Sequence, residues 1–327
     1  MDKAPRQTKL RSARSACTTV SVSVLLFLMT WASTTICVAQ TVPEQGSANI
    51  LAQAKASLDH GQYPEADKLL RDHLNTHPSD VEAKYLLAFA LFKENKPADS
   101  LKEYTEAAGQ RHPHAADLET VALDYVLLDD YADADHWIRY SLSLDANNAE
   151  AWYEAGRIEY TLNHFQPALE AFQRSLQLDP FSVKAENNLG LAFEGLNRID
   201  DAISAYRKAI AMQTASSQPS EQPLLNLATV LVDRNQLDEA LSLLQQARQI
   251  APNDWKILAQ LGRLYMVKGD LNAARDVLER AVAIEPQKGS LHFQLGQVYK
   301  KSGESEKAQA EFATTQKLLG TTSNSPK

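Results

Sequence analysis

The chain has 327 residues, of which 44% are hydrophobic and only 12 are glycine. This composition excludes collagen-like and low-complexity disordered chains and predicts a packed protein. The 41 acidic residues outnumber the 33 basic ones and give a formal net charge of −8 at pH 7. Such a chain lacks the positive electrostatic footprint that phosphate backbones require, so we expect no nucleic-acid partner.

The first 39 residues differ in composition from the rest of the chain. Five basic residues open the segment, and an uncharged run follows over residues 15–43, with its most apolar part at 20–29. A basic start, an apolar middle and small residues around Ala39 are the three parts of a secretory signal. We therefore predict that residues 1–39 form a signal peptide that is cleaved after Ala39.

The uncharged run is also long enough to span a bilayer, so a retained single-span anchor is the alternative. The serines and threonines within it lower its hydrophobicity and favour cleavage. Lipidation of Cys37 is a third option, which Ile36 disfavours because a lipoprotein signal has a small residue there. We expect an exported protein, periplasmic or secreted, that contacts a membrane only through residues 1–39 if these are kept.

Cleavage would change both the cysteine content and the charge. Cys17 and Cys37 both lie in the removed segment, so the mature chain would form no disulfide and offer no thiolate nucleophile or ligand. Five bases and one acid would also be lost, which leaves 28 bases and 40 acids and a net charge of −12. That charge disfavours anionic lipid surfaces and mildly favours basic partners.

From Ser47 onward the sequence repeats with a period of 34 residues. A linker over residues 40–46 precedes the repeats, a polar tail over 323–327 follows them, and a single insertion, 217–220, interrupts them. The eight units are 47–80, 81–114, 115–148, 149–182, 183–216, 221–254, 255–288 and 289–322. Since a fixed period of this length indicates stacked copies of one small motif, we predict a single repeat array.

Two positions of the unit are always small and one is always large. The eighth residues are Ala54, Ala88, Ala122, Gly156, Gly190, Ala228, Gly262 and Gly296. The twentieth residues are Ala66, Ser100, Ala134, Ala168, Ala202, Ala240, Ala274 and Ala308. The twenty-fourth residues are Leu70, Tyr104, Ile138, Phe172, Tyr206, Leu244, Leu278 and Phe312. Large side chains beside small ones give the dense packing of a protein interior, so these positions indicate where two paired helices cross.

Each unit contains two helical stretches that break at its fifteenth residue. The residues there are Gly61, Asn95, Asp129, Asn163, Asn197, Asn235, Gly269 and Gly303. Gly and Asn tolerate the left-handed backbone that ends a helix, so this position predicts a helix stop. The second helix often stops at a proline, as at Pro78, Pro180, Pro252 and Pro286. No segment shows sustained two-residue alternation, so no strand is predicted.

A helix-turn-helix unit of 34 residues with these positions resembles the tetratricopeptide repeat. The unit 149–182 matches best, through Trp152, Gly156, Ala168, Phe172 and Pro180. It departs at Ala155 and Glu159, where leucine and an aromatic residue are usual. The resemblance covers nearly the whole chain after the leader. It implies an all-α solenoid of about eight stacked helix pairs that forms a right-handed superhelix.

In that family the first helices of successive units line a concave surface. The sixth residues of the last four units face it and are all carboxamides: Asn188, Asn226, Gln260 and Gln294. Each side chain offers a donor and an acceptor, so the row can pair with the backbone of an extended peptide without reading its sequence. The alternative is a solvated polar helix face.

The same face is apolar and aromatic in the first units. Its residues are Leu51, Leu58, Tyr85, Leu86, Phe89, Phe92, Leu123, Val126 and Leu127, followed by Tyr153, Arg157 and Tyr160. An exposed apolar patch of this size indicates a partner surface. The alternative is that neighbouring units bury these side chains. We predict a protein or peptide partner in this groove.

Sequence signatures of catalysis are missing. The chain has no Gly-rich phosphate loop, no Gly-x-Ser-x-Gly turn and no His-Glu-x-x-His motif. His73 and His77 have a spacing that can bind one metal ion, but only Asp72 or Asp80 could be a third ligand. We expect both side chains to be exposed, and two exposed histidines near the end of a helix more often interact with the helix dipole. We expect a non-catalytic protein with no metal and no cofactor.

These observations favour an exported scaffold or adaptor that binds a protein or an extended peptide in its concave groove, as in the assembly of envelope proteins. Two alternatives remain. One is a membrane-anchored scaffold with the same groove, which differs only in whether residues 1–39 are kept. The other is a non-catalytic subunit of an enzyme complex.

Overall fold

The computed structural model describes residues 44–214 and 217–322. The predicted signal or anchor segment, the first residues of the predicted linker and the predicted polar tail lie outside these ranges. Within them, every regular element is an α-helix, and no helix is long and apolar enough to cross a membrane.

Sixteen helices follow one another in these residues. They are α1 (Glu44–Asp59), α2 (Tyr63–Thr76), α3 (Val81–Lys93), α4 (Pro97–Ala108), α5 (Ala115–Leu127), α6 (Tyr131–Leu144), α7 (Ala149–Thr161), α8 (Phe165–Leu178), α9 (Val183–Gly195), α10 (Ile199–Met212), α11 (Gln222–Asp233), α12 (Leu237–Ile250), α13 (Trp255–Lys268), α14 (Leu271–Ile284), α15 (Gly289–Lys301) and α16 (Ser305–Thr322). Each predicted unit contributes one pair. Helix α1 begins at Glu44, so the last three residues of the predicted linker are helical.

The predicted helix stops at the fifteenth residue of the units are confirmed. All eight residues have a positive φ, between 58° and 82°. In the second unit Asn95 holds this conformation, and the N–H of Lys96 donates to the carbonyl oxygen of Leu91 at 2.9 Å. That bond closes the turn after α3 in the manner of a Schellman motif and satisfies a carbonyl that the helix leaves unpaired.

The second helix of four units ends two residues before a proline. Helices α2, α8, α12 and α14 end in this way, before Pro78, Pro180, Pro252 and Pro286. Proline cannot continue a helix because it lacks a backbone N–H and its ring clashes with the preceding turn. The next helix is then capped, as where Asp80 Oδ1 accepts the N–H of Ala83 at 3.1 Å.

The two helices of a pair touch through the predicted small and large positions. Gly190 lies directly beneath the ring of Tyr206, and a Cβ atom built on this glycine would be 2.4 Å from a ring carbon. Gly156 lies beneath Phe172 in the same way. Both rings are buried. The ring of the second helix therefore packs on the bare backbone of the first.

Contacts also join successive odd-numbered helices, such as α1 with α3, α7 with α9 and α13 with α15. The odd-numbered helices thus lie side by side along the array, and the even-numbered helices pack on their other side. We call the exposed side of the odd-numbered helices the inner face. It contains the second, fifth, sixth, ninth, twelfth and thirteenth residues of the units.

The expectation that His73 and His77 are both exposed is wrong for His73. The His73 ring is buried, stacks on His77 at a centroid distance of 4.6 Å, and forms a hydrogen bond to Asp80 Oδ2 at 2.8 Å. The bond joins the end of α2 to the start of α3. Among the described residues no group of three or more His, Cys, Asp or Glu side chains is placed to hold a metal ion.

Asp124 on α5 is fully buried, although the tenth residue of the following units is apolar and buried. The hydroxyl of Ser100 donates to its Oδ2 at 2.6 Å, and Oδ1 has no hydrogen-bond partner among the described residues. Burial raises the pKa of this carboxyl group to about 7, against a smaller lowering by Ser100. Ser100 is also the one serine at the twentieth position, so the two polar residues form a matched pair between the second and third units.

Asp124→Asn is expected to stabilise the protein at alkaline pH. Because the pKa of Asp124 is higher folded than unfolded, the folded state binds its proton more tightly and loses stability as pH rises from about 4 to about 7. A carboxyl group that shifts by this much changes the free energy of unfolding by up to about 4 kcal/mol. In urea unfolding, the variant's gain in free energy of unfolding over the unmodified protein should be about 2.5 kcal/mol larger at pH 8 than at pH 5. An advantage of equal size at both pH values would contradict the assignment.

Candidate functional site

The apolar part of the inner face contains a cavity of about 230 Å³ between α3 and α5. Its apolar and aromatic lining residues are Tyr85, Leu86, Phe89 and Tyr104, and its charged and polar ones include Glu82, Arg111, Asp117 and Thr120. Burial raises the pKa of Asp117. A hydrogen bond from the N–H of His114 and the charges of His114 and Arg111 oppose this rise. The cavity therefore combines an apolar floor with a charged rim.

Tyr85 was expected on the surface of the apolar groove, but it is only 4% exposed. Its hydroxyl donates to the carbonyl oxygen of Arg111 at 2.7 Å, and the Arg111 guanidinium lies 4.4 Å from the centre of its ring. Its ring also packs against Tyr104. Tyr85 thus ties α3 to the turn that follows α4, and it supports the cavity from below.

Phe89 and Phe92 are partly exposed on α3, with ring centres 6.4 Å apart. The ammonium group of Lys93 lies about 5 Å from both ring centres, at 5.1 Å and 5.0 Å. A cation over an aromatic face is attracted by the ring quadrupole. Leu123 is half-buried on α5 and is not part of the cavity lining. Two of the predicted aromatic residues therefore form one exposed patch.

The middle of the inner face carries Tyr153, Arg157 and Tyr160 on α7. Arg157 donates to Glu154 at 2.8 Å, and its guanidinium lies 5.9 Å from the centre of the Tyr153 ring. Burial raises the pKa of Glu154 against the opposing effect of Arg157. Arg157 and Tyr160 line a small cavity of about 100 Å³ together with Asn188. The structure therefore brings all three predicted residues to one surface.

A second cavity of the inner face, of about 370 Å³, lies between α7, α9 and α11. Six carboxamide side chains line it: Asn187, Asn188, Gln213, Gln218, Gln222 and Asn226. Tyr153, Lys184, Ser220 and the apolar Val183, Leu191 and Pro223 complete the lining. We call this cavity the amide pocket. Lys184 is paired with Glu150 at 2.5 Å, so the lining is largely neutral and rich in both donors and acceptors.

A series of side-chain hydrogen bonds crosses the amide pocket, and each amide in it donates to the next side chain. Asn226 Nδ2 donates to Asn187 Oδ1 at 2.9 Å, and Asn187 Nδ2 donates to Asn188 Oδ1 at 3.2 Å. Asn188 Nδ2 then donates to the Tyr153 hydroxyl at 3.1 Å. Such chains polarise their members and fix their orientation. The hydroxyl hydrogen of Tyr153 lies at one end of this series of hydrogen bonds, and the side-chain carbonyl oxygen of Asn226 lies at the other. The series spans three units.

The insertion 217–220 forms one wall of the amide pocket. The side-chain amide of Gln213 holds it, since Nε2 donates to the carbonyl oxygen of Ser220 at 2.8 Å and Oε1 accepts the N–H of Ser220 at 2.9 Å. Gln213 is buried. The four inserted residues therefore build a pocket wall that the regular 34-residue spacing does not provide.

Gln260 and Gln294 continue the predicted carboxamide row on α13 and α15. Both are half-buried, and the side-chain oxygen of each is buried without a hydrogen-bond partner among the described residues. The row therefore changes character along the chain. Asn188 and Asn226 belong to the series of hydrogen bonds in the amide pocket, whereas the two glutamines lie singly on α13 and α15.

The sequence prediction missed Asn187, Gln213 and Lys184. Asn187 is the fifth residue of its unit, a position that faces inward, and its neighbour Asn188 was already included, so the spacing contained a usable signal. Gln213 carried none, because it lies after the end of α10 and acts through the insertion. The role of Lys184 depends on Glu150, one whole unit earlier in the chain.

Comparison with known proteins identifies the repeat. Two family models described as "Tetratricopeptide repeat" match, one at residues 51–116, 122–183 and 153–219 and the other at 194–261, 231–288 and 268–318. BBSome complex member BBS4 of Bos taurus is 27% identical over 173 residues, which are 51% of this chain and 32% of that protein. TPR repeat-containing protein MJ0263 of Methanocaldococcus jannaschii is 29% identical over 91 residues, 28% of each chain. This chain spans about a third or less of the curated relatives that it matches.

Solved structures share the fold. A tetratricopeptide repeat protein from Parabacteroides merdae superimposes with a TM-score of 0.62 at 15% identity, over 78% of this chain and 99% of that one. PilW, a type IV pilus biogenesis factor, superimposes with a TM-score of 0.58 at 22% identity, over 63% of this chain and 94% of that one. At these identities the likeness concerns the architecture, an α-solenoid of helix pairs.

Proposed function

This chain belongs to the tetratricopeptide repeat family, and we propose on that premise that it is a non-catalytic scaffold that binds an extended segment of another protein along its inner face. The amide pocket is the observation that carries the proposal. Its hydrogen-bonded chain offers a donor at the Tyr153 end and an acceptor at the Asn226 end. A peptide backbone presents carbonyl and N–H groups that complement both.

The apolar part of the inner face supplies the complementary contribution. Phe89 and Phe92 present aromatic surface beside a cavity whose floor is already packed by Tyr85. Burial of aromatic side chains dominates the energy of most protein interfaces, whereas neutral hydrogen bonds mainly fix orientation. We expect a bound segment to place apolar side chains against α3 and α5 and its backbone against the amide pocket.

Site-specific photocrosslinking tests this proposal. We expect the full chain with p-benzoylphenylalanine at Phe89, or at Leu191 in the amide pocket, to crosslink in cells to one protein, at two sites in a single segment of it. The matched control carries the crosslinker at Ile284, which is 40% exposed on α14, outside the inner face and away from α6, α7 and α8. Mass spectrometry of the crosslinked peptides is the measurement.

The two inner-face positions should identify the same partner and the control should not. Asn226→Ala, which removes one end of the series of hydrogen bonds, should weaken crosslinking from Leu191 with little loss of helicity. Crosslinks from Ile284 alone, or from Phe89 and Leu191 to unrelated proteins, would contradict a single segment bound along the inner face.

We further propose that the scaffold is exported and takes part in the assembly of envelope proteins. The basic start and apolar run of residues 1–39 support export, because they have the order of parts of a secretory signal. The alternative is a scaffold that residues 1–39 anchor in the membrane, with the same inner face. The partner and the surface that binds it do not depend on this choice.

The intact mass of the protein from its native cells distinguishes the two. We expect a chain that begins at Gln40 and is released with the soluble envelope fraction, because Cys37, Val38 and Ala39 precede the predicted signal-peptidase site. A chain that keeps residues 1–39 and stays with the membranes would establish the anchor. A full-length chain in the cytosolic fraction would contradict both.

A further inference from the structure

One cavity of the described residues lies on the opposite side from the inner face. It has a volume of about 760 Å³ and lies between α6 and α8, with α7 as its floor. We call it the outer groove. The side chains that matter for its chemistry are Arg139, Trp152, Glu159, Pro167, Glu170 and Arg174.

Two departures of the fourth unit from the repeat pattern open the outer groove. The seventh residue is Ala155, whereas it is a leucine or valine in every other unit after the first. The eleventh residue is Glu159, whereas those units have leucine, tyrosine or phenylalanine. Both residues line the groove. The fourth unit thus lacks the branched side chain at the seventh position and the apolar side chain at the eleventh. These side chains fill the corresponding space in other units.

A buried carboxylate lies at the floor of the outer groove. Glu159 is only 4% exposed, and its Oε2 is 2.8 Å from Nδ1 of His164. Its other oxygen accepts a hydrogen bond from Nη2 of Arg139. Both side chains that bond to Glu159 extend in from solvent, since Arg139 is 60% exposed and His164 is 59% exposed. Arg139 also forms an ion pair with Asp135 at 2.7 Å. It would therefore keep one carboxylate partner if another cation replaced it at Glu159.

The walls suit a long side chain with a positive end. Trp152, Leu142 and Pro167 provide apolar surface, and the Trp152 indole N–H is already bonded to the carbonyl oxygen of Ala146 at 3.0 Å. Glu170 forms no ion pair within the described part of the chain, and its Oε1 accepts an amide N–H from Gln166 at 2.9 Å. A second carboxylate therefore lines the same groove as Glu159.

We propose that the outer groove binds an arginine or lysine side chain of a partner protein, a role distinct from peptide binding on the inner face. The methylene groups pack on Trp152 and Leu142, and the positive end bonds to Glu159 and Glu170. Arg174, whose Nη1 donates to Gln177, can donate to the backbone carbonyl of the same partner residue. The net charge of −8 attracts basic partners at longer range.

Titration with single-residue probes tests the outer groove. The probe is N-acetyl-L-arginine amide, added to the ¹⁵N-labelled full chain. The readout is the indole N–H signal of Trp152, assigned by its loss in Trp152→Phe. We expect a saturable shift of this signal. Ala155→Leu introduces the leucine that most other units have and should abolish the shift by filling the groove. Glu159→Gln should weaken binding at least tenfold.

Controls separate this site from non-specific effects. Ala211→Leu changes an exposed alanine on α10 and should leave the titration unchanged. N-acetyl-L-glutamate amide and N-acetyl-L-leucine amide should not shift Trp152 at the same concentration. No shift with the arginine probe, the same shift in Ala155→Leu, or an equal response to the leucine or glutamate probe would each overturn the proposal.

Discussion

The contact between the eighth residue and the twenty-fourth side chain of each unit is the constraint on which the rest of the structure depends. In four units a glycine lies beneath Phe172, Tyr206, Leu278 or Phe312, and a Cβ atom there would be within 2.6 Å of that side chain. This contact fixes how closely the two helices of a pair cross. Pairs of uniform thickness can stack with their first helices side by side, and that stacking creates the inner face.

The surfaces with chemical character lie where single units depart from this pattern. The four inserted residues 217–220, held by Gln213, widen one junction into the amide pocket. Ala155 and Glu159 remove packing from the fourth unit and open the outer groove. Neither departure changes the small and large residues that hold the two helices of a unit together. The scaffold can therefore acquire a site in one unit while the neighbouring contacts stay the same.

The fold was predictable from the sequence because its signals are local and repeat eight times. The left-handed residues from Gly61 to Gly303 depend only on their own backbone, and each unit confirms the others. The sites depend on contacts between units. Asn226 meets Asn187 across 39 residues, a separation that the insertion shifts away from the period, and the burial of Tyr85 depends on the Arg111 carbonyl beyond α4. Nothing in the periodicity of a single helix predicts such contacts.

Comparison of two glycine substitutions tests the central packing constraint most directly. Gly190→Ala places a Cβ atom 2.4 Å from the Tyr206 ring, so we expect a loss of about 1–3 kcal/mol in the free energy of unfolding, although alanine is the better helix former. Gly109→Ala is the matched control, at φ −65° with no contact closer than 3.5 Å, and should gain about 0.4–1 kcal/mol. If Gly190→Ala were as stable as Gly109→Ala in urea unfolding, close approach at the eighth position would not govern the fold.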